Sequence, residues 1–205
     1  KALFLVTGLL GVLLALPAVS REDVAEGEFH GLLVTCILGM CCLATASNLL
    51  MIYLSIELVS IPSYLLAGFL RHHRRSGEAS LKYVIYGAFA SGTMIYGMSF
   101  LYGMTGQAGL AELGTALATG RMNPAMGVVV LTMVFAGFAY KVAAAPFHFW
   151  CPDVYEGSPT PVTAFFSVGP KAAGFAALLR FFDGISLGGS TPFELVLGER
   201  RLRAT

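Results

Sequence analysis

Three ionisable side chains lie inside long apolar stretches of the sequence. Glu57 follows NLLMIYLSI, Lys141 lies within AGFAYKVAAAPF, and Lys171 lies within FFSVGPKAAGF. A charge near the centre of a membrane helix costs about 2.5–3.5 kcal/mol on insertion scales, so such residues are rare and most often functional. Because a carboxylate and two amines all bind and release protons, proton transfer is the first chemistry that these residues suggest.

We therefore expect the three groups to form a proton relay. Burial disfavours the charged form of a side chain, whereas an opposite charge nearby favours it. Approach of Glu57 would hold Lys141 protonated, and separation would let Lys141 pass its proton through water towards Lys171. The alternative is a set of static ion pairs that lock the helices together, although a buried ion pair is often no more stabilising than apolar groups of similar size.

A proline lies within five residues of each of these charges: Pro62, Pro146 and Pro170. Proline removes one helical N–H and leaves a carbonyl of the preceding turn without its partner. Interrupted helices at membrane depth are tolerated where protein or water satisfies the loose backbone groups, and transporters build ion sites there. We expect a helix break near Pro146.

His148, in PFHFW, is a fourth candidate for the relay. It lies at the end of the apolar stretch that contains Lys141. Because histidine titrates near neutral pH, it could feed protons to the relay. An interfacial histidine beside Trp150 explains the same sequence equally well.

The composition is that of an integral membrane protein. Of 205 residues, 12% are charged and 56% are hydrophobic, whereas an ordinary globular domain is about 25% charged. Six apolar runs come close to the ~20 residues that a membrane-spanning helix needs. These runs are 2–20, 29–47, 48–70, 80–104, 123–147 and 160–182. Because backbone polar groups in lipid must be satisfied internally, the sequence predicts an all-α fold of about six transmembrane helices.

The loops between these runs predict the orientation. RHHRRSGEAS, at 71–80, holds three arginines, and cationic loops face the cytoplasm. Alternation then puts the loops at 21–28 and 148–159 on the same side, and the loop at 105–122 and the tail from Asp183 on the opposite side. Within 105–122, GLAELGTALA fits either a short interfacial helix or a loop.

The first run has two interpretations. KALFLVTGLLGVLLALPAVSR has the basic start, apolar core and small residues of a signal peptide. Its ~18 apolar residues are also long enough to span a membrane, and further spans follow. We expect a membrane helix.

Several classes of function are disfavoured. The four cysteines, Cys36, Cys41, Cys42 and Cys151, form no CxxC pair and have no histidine at zinc-ligand spacing, so we expect small, mostly buried residues. The sequence contains no GxGxxG or GxxxxGK[ST] motif for nucleotide binding. A net charge of +1, without a basic face, gives no reason to expect nucleic acid.

The residues around the candidate relay resemble a known family. AGFAYKVAAAPFHFWCPDVYEGSPTPVTAFFSVGPKAAGFAALLR resembles the antiporter-like membrane subunits of complex I. ELVSIPSYLLAGF and EASLKYVIYGAFASGTMIYGMSFLYGMTG are similar to the subunit N family of bacterial NADH–quinone oxidoreductase. The resemblance extends from about Thr45 to Phe182.

This resemblance implies a proton-translocating subunit of a respiratory NADH–quinone oxidoreductase, an enzyme complex of the bacterial cell inner membrane. Glu57, Lys141 and Lys171 fall on the family's glutamate–lysine–lysine positions, and the helix that bears the first lysine is broken in the family. Members carry no flavin, iron–sulfur cluster or nicotinamide, because quinone and NADH react elsewhere in the complex and drive the pumping. The implied partners are the other membrane-arm subunits and the lipid bilayer, and no nucleic acid.

The resemblance also implies a division of the chain. Residues 1–28 would be a first transmembrane helix and loop, 29–182 a five-helix antiporter-like repeat, and 183–205 a tail. Because the family has two inverted repeats of five helices, we expect a partial sequence that carries the first. The alternatives are a subunit of a multi-subunit Na⁺/H⁺ antiporter, a subunit of a membrane-bound hydrogenase, or a structural membrane-arm spacer.

Overall fold

A computed structural model describes residues 1–19, 25–70, 72–119 and 124–186. These ranges form eight α-helices: α1 (Ala2–Val19), α2 (Glu26–Leu43), α3 (Leu49–Ala67), α4 (Arg74–Thr105), α5 (Leu110–Ala118), α6 (Pro124–Val142), α7 (Trp150–Gly157) and α8 (Thr160–Ser186). The all-α architecture expected from the apolar runs is confirmed.

Five of these helices, α2, α3, α4, α6 and α8, are long and apolar enough to cross a membrane. The stretch Ala2–Pro17 of α1 is also apolar but shorter, and α1 packs against α2 and α8. The contact is close, since Gly8 lies directly against Ile37, and a Cβ at Gly11 would come within 3.1 Å of Phe165. The interpretation of 2–20 as a membrane helix stays a prediction.

The helices are apolar on their outer faces as well as in the core. On α4, Met94 is buried whereas Phe89 is exposed, and on α8 Phe181 is buried whereas Leu179 is exposed. A helix that is apolar all round needs apolar surroundings on both sides. The outer faces therefore suit lipid or other apolar helices.

The connections fall on two sides, as expected. On one side, ion pairs of Arg75 with Glu156 (3.2 Å) and of Lys82 with Asp153 (2.8 Å) join the start of α4 to α7. On the other side, the turn between α2 and α3 pairs with the segment between α4 and α5. There the N–H of Leu49 donates to the carbonyl of Ala108 over 2.9 Å. The assignment of one side to the cytoplasm stays a prediction.

Two short helices refine the sequence prediction. GLAELGTALA forms α5, so the helical interpretation of that segment is correct. The expectation of a loop over 148–159 is wrong, because residues 150–157 form α7. Trp150 and Val154, which lie one turn apart, are both buried, and this apolar face fixes α7 on the bundle.

The prolines act differently in the three helices that carry the charges. α3 and α8 continue through Pro62 and Pro170, so no break accompanies Glu57 or Lys171. The break expected near Pro146 is present, and α6 already ends at Val142.

Ala143 ends α6 in the left-handed conformation, with φ of 57°. Its N–H donates to the carbonyl of Tyr140 over 3.1 Å, and the N–H of Ala144 donates to the carbonyl of Ala139 over 2.8 Å. This pair of bonds is a Schellman motif, which usually has glycine at the left-handed position.

The division into 1–28, 29–182 and 183–205 stays a prediction. Residues 20–24 of the first loop, Arg71 of the cationic loop, and 187–205 of the tail lie outside the described residues. α8 continues four residues beyond the predicted end of the repeat at 182.

Candidate functional site

Lys141 lies in the last turn of α6, next to the helix break, and is only 3% exposed. Its stem packs on α8, where a Cβ at Gly174 would lie 3.2 Å from the lysine Cγ. Its Nζ donates to Ser60 Oγ on α3 over 3.0 Å. The C-terminal end of a helix stabilises a cation through the helix dipole. Because α6 ends at Val142, its C-terminus lies beside Lys141 and favours the charged amine.

Ser60 is fixed as an acceptor for this amine. Its hydroxyl donates to the Ile56 carbonyl over 2.7 Å. A serine hydroxyl has a single proton to donate, so its lone pairs are what it offers to Lys141. The hydroxyl of Tyr64, one turn further along α3, and the hydroxyl of Tyr140 both lie close to Gly87 of α4.

Glu57 is half-buried on α3, and its carboxylate accepts a hydrogen bond from the Ser91 hydroxyl on α4. The Tyr53 hydroxyl, one turn before Glu57, lies 3.5 Å from Ser91 Oγ. Glu57 acts electrostatically on Lys141. No direct ion pair within 4.0 Å joins the two described side chains, in contrast to Lys82 and Asp153 at the surface. The glutamate and the lysine are therefore neighbours that are each hydrogen-bonded to a serine.

Lys171 lies on α8, half-buried, and faces α7. Its Nζ lies 3.7 Å from Cys151 Sγ and 5.1 Å from the centroid of the Tyr155 ring. An ammonium over an aromatic face is attracted by the ring. Burial, together with the neighbouring Cys151 thiol, raises the pKa of Tyr155, so this phenol remains protonated at neutral pH.

Trp150 connects the surroundings of the two lysines. Its Nε1 donates to the Tyr140 carbonyl over 3.2 Å, and its ring stacks on Tyr83 with centroids 4.5 Å apart. Cys151, the next residue, contacts Lys171. Two consecutive residues at the start of α7 therefore reach both lysines. Trp150 bonds the residue before Lys141, and Cys151 contacts the amine of Lys171.

His148 lies between α6 and α7, exposed, with its ring stacked on Phe149 at 4.9 Å. Among the described residues it has no hydrogen bond to Glu57, Lys141 or Lys171. Its role in the relay stays a prediction, and the interfacial interpretation stays open.

The polar residues of the site that were not predicted include Tyr53, Ser60, Ser91 and Cys151. Ser91 follows Gly87 by one turn, a spacing that suggests close helix packing, and Gly87 does lie against the Tyr64 hydroxyl. Glu57 itself was a second signal. A buried carboxylate needs a hydrogen-bond donor, so a serine on a neighbouring helix could have been expected beside it.

No group of three or more histidine, cysteine, aspartate or glutamate side chains comes together as a metal site in the described ranges. All four cysteines are free, with Cys36 buried and the other three half-buried. The expectation that the chain carries no cofactor of its own stays a prediction.

Comparison with known proteins identifies the family. The family model described as NADH:quinone oxidoreductase/Mrp antiporter, TM, matches residues 46–193. The chain belongs to this family. The match includes α3 to α8 and thus all of the candidate relay residues.

Curated relatives agree with the resemblance to subunit N. NADH-quinone oxidoreductase subunit N of Anaeromyxobacter sp. is 51% identical over 200 residues, which cover 94% of this chain and 39% of the relative. The subunit N of Chlorobium chlorochromatii is 49% identical over 183 residues, covering 88% of this chain and 36% of the relative. The chain thus spans less than two-fifths of the length of these relatives.

Solved structures share the fold. A chain of respiratory complex I from Thermus thermophilus superposes with a TM-score of 0.70 and 38% identity, covering 88% of this chain and 40% of that one. A chain of the archaeal membrane-bound sulfane sulfur reductase gives a TM-score of 0.79 and 27% identity, over 91% of this chain and 38% of that one. A chain of the Mrp complex from Dietzia sp. superposes with a TM-score of 0.73 and 24% identity, covering 88% of this chain and 34% of that one. This likeness concerns the fold alone.

Proposed function

We propose that this chain is a proton-translocating membrane subunit of a bacterial respiratory NADH–quinone oxidoreductase. It would act in the cell inner membrane among other membrane-arm subunits, while NADH oxidation and quinone reduction take place elsewhere in the complex. Protons would pass through a relay of Glu57, Lys141 and Lys171.

The observation that carries this proposal is the environment of Lys141. Its amine is buried at a helix break within electrostatic range of Glu57, yet each of the two is bonded to a serine hydroxyl rather than to the other. Side chains that served only to lock the bundle would be expected to form a direct ion pair. Neighbouring but separate charges can change their distance, and with it the proton affinity of each.

In the proposed sequence of steps, approach of Glu57 stabilises the protonated Lys141. Separation of the two then favours transfer of the proton through water towards Lys171. The ring of Tyr155 and the thiol of Cys151 would keep the Lys171 amine oriented to receive it.

The test uses membrane vesicles that contain the assembled complex with the full-length subunit, and it measures NADH-driven proton uptake per assembled complex. Because a positioned proton-transfer group contributes roughly 10²–10⁴-fold, Lys141→Met and Lys171→Met should each slow pumping through this subunit at least about tenfold. Lys82→Met is the matched control, since Lys82 is bonded to Glu78 and Asp153 at the surface. Normal pumping per assembled Lys141→Met complex, with reduced assembly, would instead indicate a structural spacer.

The second candidate is an antiporter-type or hydrogenase-type subunit. The observation in its favour is the matching family model, whose description covers the Mrp antiporter as well as NADH:quinone oxidoreductase. Transport that varies with Na⁺ concentration at constant pH would support Na⁺/H⁺ exchange, whereas transport independent of Na⁺ supports proton pumping.

A further inference from the structure

Glu57 and Lys141 are each hydrogen-bonded to a serine on a neighbouring helix. The Ser91 hydroxyl on α4 donates to the Glu57 carboxylate. Lys141 Nζ on α6 donates to Ser60 on α3 over 3.0 Å. The two relay charges are thus bonded to neutral side chains although they act on one another electrostatically.

We propose that Ser60 and Ser91 are positioning residues that hold Lys141 and Glu57 apart, so that the lysine alternates between Ser60 and Glu57. This inference rests on the proposed function and specifies how its ion pair opens. Formation of the pair turns the amine from Ser60 towards the carboxylate, which can accept from the amine and from Ser91 on different lone pairs.

The spacing on α3 makes this exchange a local movement. Ser60 follows Glu57 by three residues, and side chains at this spacing are neighbours on one helix face with Cβ atoms about 5–6 Å apart. Lys141 faces that surface from the end of α6. A change of lysine rotamer therefore exchanges the hydroxyl for the carboxylate while the helices stay in place.

Serine suits this task because it does not compete for the transferred proton. Ser60 gives its single proton to the Ile56 carbonyl and accepts from the amine. Ser91 has the opposite role, since it donates to the carboxylate. One hydroxyl therefore stabilises the cation and the other the anion, and neither gains or loses a proton at neutral pH.

Other titratable groups surround the pair and contribute to its electrostatics. The Cys36 thiol on α2 interacts electrostatically with Lys141. The Tyr64 and Tyr140 hydroxyls interact electrostatically with Glu57. Tyr53 lies beside Ser91, and Lys171 lies one turn before Gly174, against which the Lys141 stem packs. Tyr83 of α4 contributes its carbonyl, which accepts from Tyr140 over 3.1 Å. All of these groups are present in the serine variants, so a changed readout reports the lost hydroxyl.

The test compares Ser91→Ala, Ser91→Thr and Ser60→Ala in vesicles with the assembled complex. Because a hydrogen bond to a charged group is worth about a tenfold change in equilibrium or more, Ser91→Ala should slow pumping about tenfold. The infrared carboxylate band that disappears in Glu57→Gln should shift in Ser91→Ala, since an ammonium replaces the hydroxyl as its donor. Ser91→Thr retains the hydroxyl and should restore both readouts, and Ser60→Ala should slow pumping in the same way.

Ser99→Ala is the matched control. Ser99 is exposed on the same helix, and within the described ranges its hydroxyl bonds the nearby Tyr96 carbonyl over 2.7 Å, so both readouts should stay unchanged. A Ser91→Ala complex that pumps like Ser99→Ala with an unshifted band overturns the inference, as does a Ser91→Thr complex as slow as Ser91→Ala. If Lys141→Met stops pumping while the serine variants are normal, the proposed function stands and the role of the serines fails. Normal pumping in Lys141→Met overturns both.

Discussion

Lys141 is bonded to Ser60, and Ser60 lies one turn after Glu57 on the same helix. The amine is bonded to the same face of α3 that carries Glu57, without forming an ion pair with the carboxylate. In the proposed mechanism, this arrangement would let the lysine exchange the serine for the carboxylate. α6 ends one residue after Lys141, at Val142, and Ala143 follows in the left-handed conformation.

Replacement of Ala143 by glycine should stabilise the protein. Ala143 has φ of 57°, and the left-handed conformation costs an L-residue about 1–2 kcal/mol that glycine does not pay. We expect Ala143→Gly to gain about 1 kcal/mol in unfolding free energy, measured by thermal unfolding of the purified complex. Ala144→Gly is the control, and it should give no gain because φ is not positive there. Equal effects at the two positions would mean that no strain is relieved at Ala143.

Gly87 and Gly92 on α4 should respond oppositely to alanine. Gly87 lies directly against the Tyr64 hydroxyl, and a Cβ would also come within 2.9 Å of the Tyr140 hydroxyl, whereas a Cβ at Gly92 meets nothing within 4 Å. Overpacking of a core costs about 1–3 kcal/mol, so Gly87→Ala should lower thermal stability and complex assembly. Gly92→Ala should be neutral or slightly stabilising, as alanine favours helix. A tolerated Gly87→Ala would argue against the close approach of α3 and α4.

Cys151 should matter through its contact with Lys171. Its Sγ lies 3.7 Å from the amine, so Cys151→Ala removes a partner whereas Cys151→Ser keeps an acceptor at this place. We expect proton pumping to fall several-fold in Cys151→Ala, because the variant loses about one hydrogen bond to a charged group. Pumping should remain near normal in Cys151→Ser. Cys41→Ala, on α2, serves as the control for loss of a half-buried thiol. Equal rates for the two Cys151 variants would show that the contact has no part in transfer.

Much of the architecture could be predicted from hydrophobicity, because runs near the length of a membrane span allow only helices. Glu57 and Lys141 stood out for the same reason, since each is an ionisable residue in an apolar run. The short helix α7 escaped prediction because eight residues are too few to carry a clear periodic signal.

The partners of the charges could not be predicted, because they depend on how each helix is rotated about its axis. Ser60 and Ser91 are small polar residues, and sequence alone does not distinguish a serine that packs from one that bonds a charge on another helix. The end of α6 had no glycine to mark it, since alanine occupies the left-handed position at Ala143. Pro146 indicated a break but not the residue at which it begins.

The most direct test of the relay is a double-mutant cycle on Glu57 and Lys141. Proton uptake per NADH oxidised is measured in vesicles with the assembled complex for Glu57→Gln, Lys141→Met and the double variant. Residues that act as one unit are strongly non-additive in their effects on rate, so the double variant should pump about as slowly as each single variant. Losses that multiply in the double variant, or normal pumping in either single variant, would contradict a relay in which the glutamate controls the proton of the lysine.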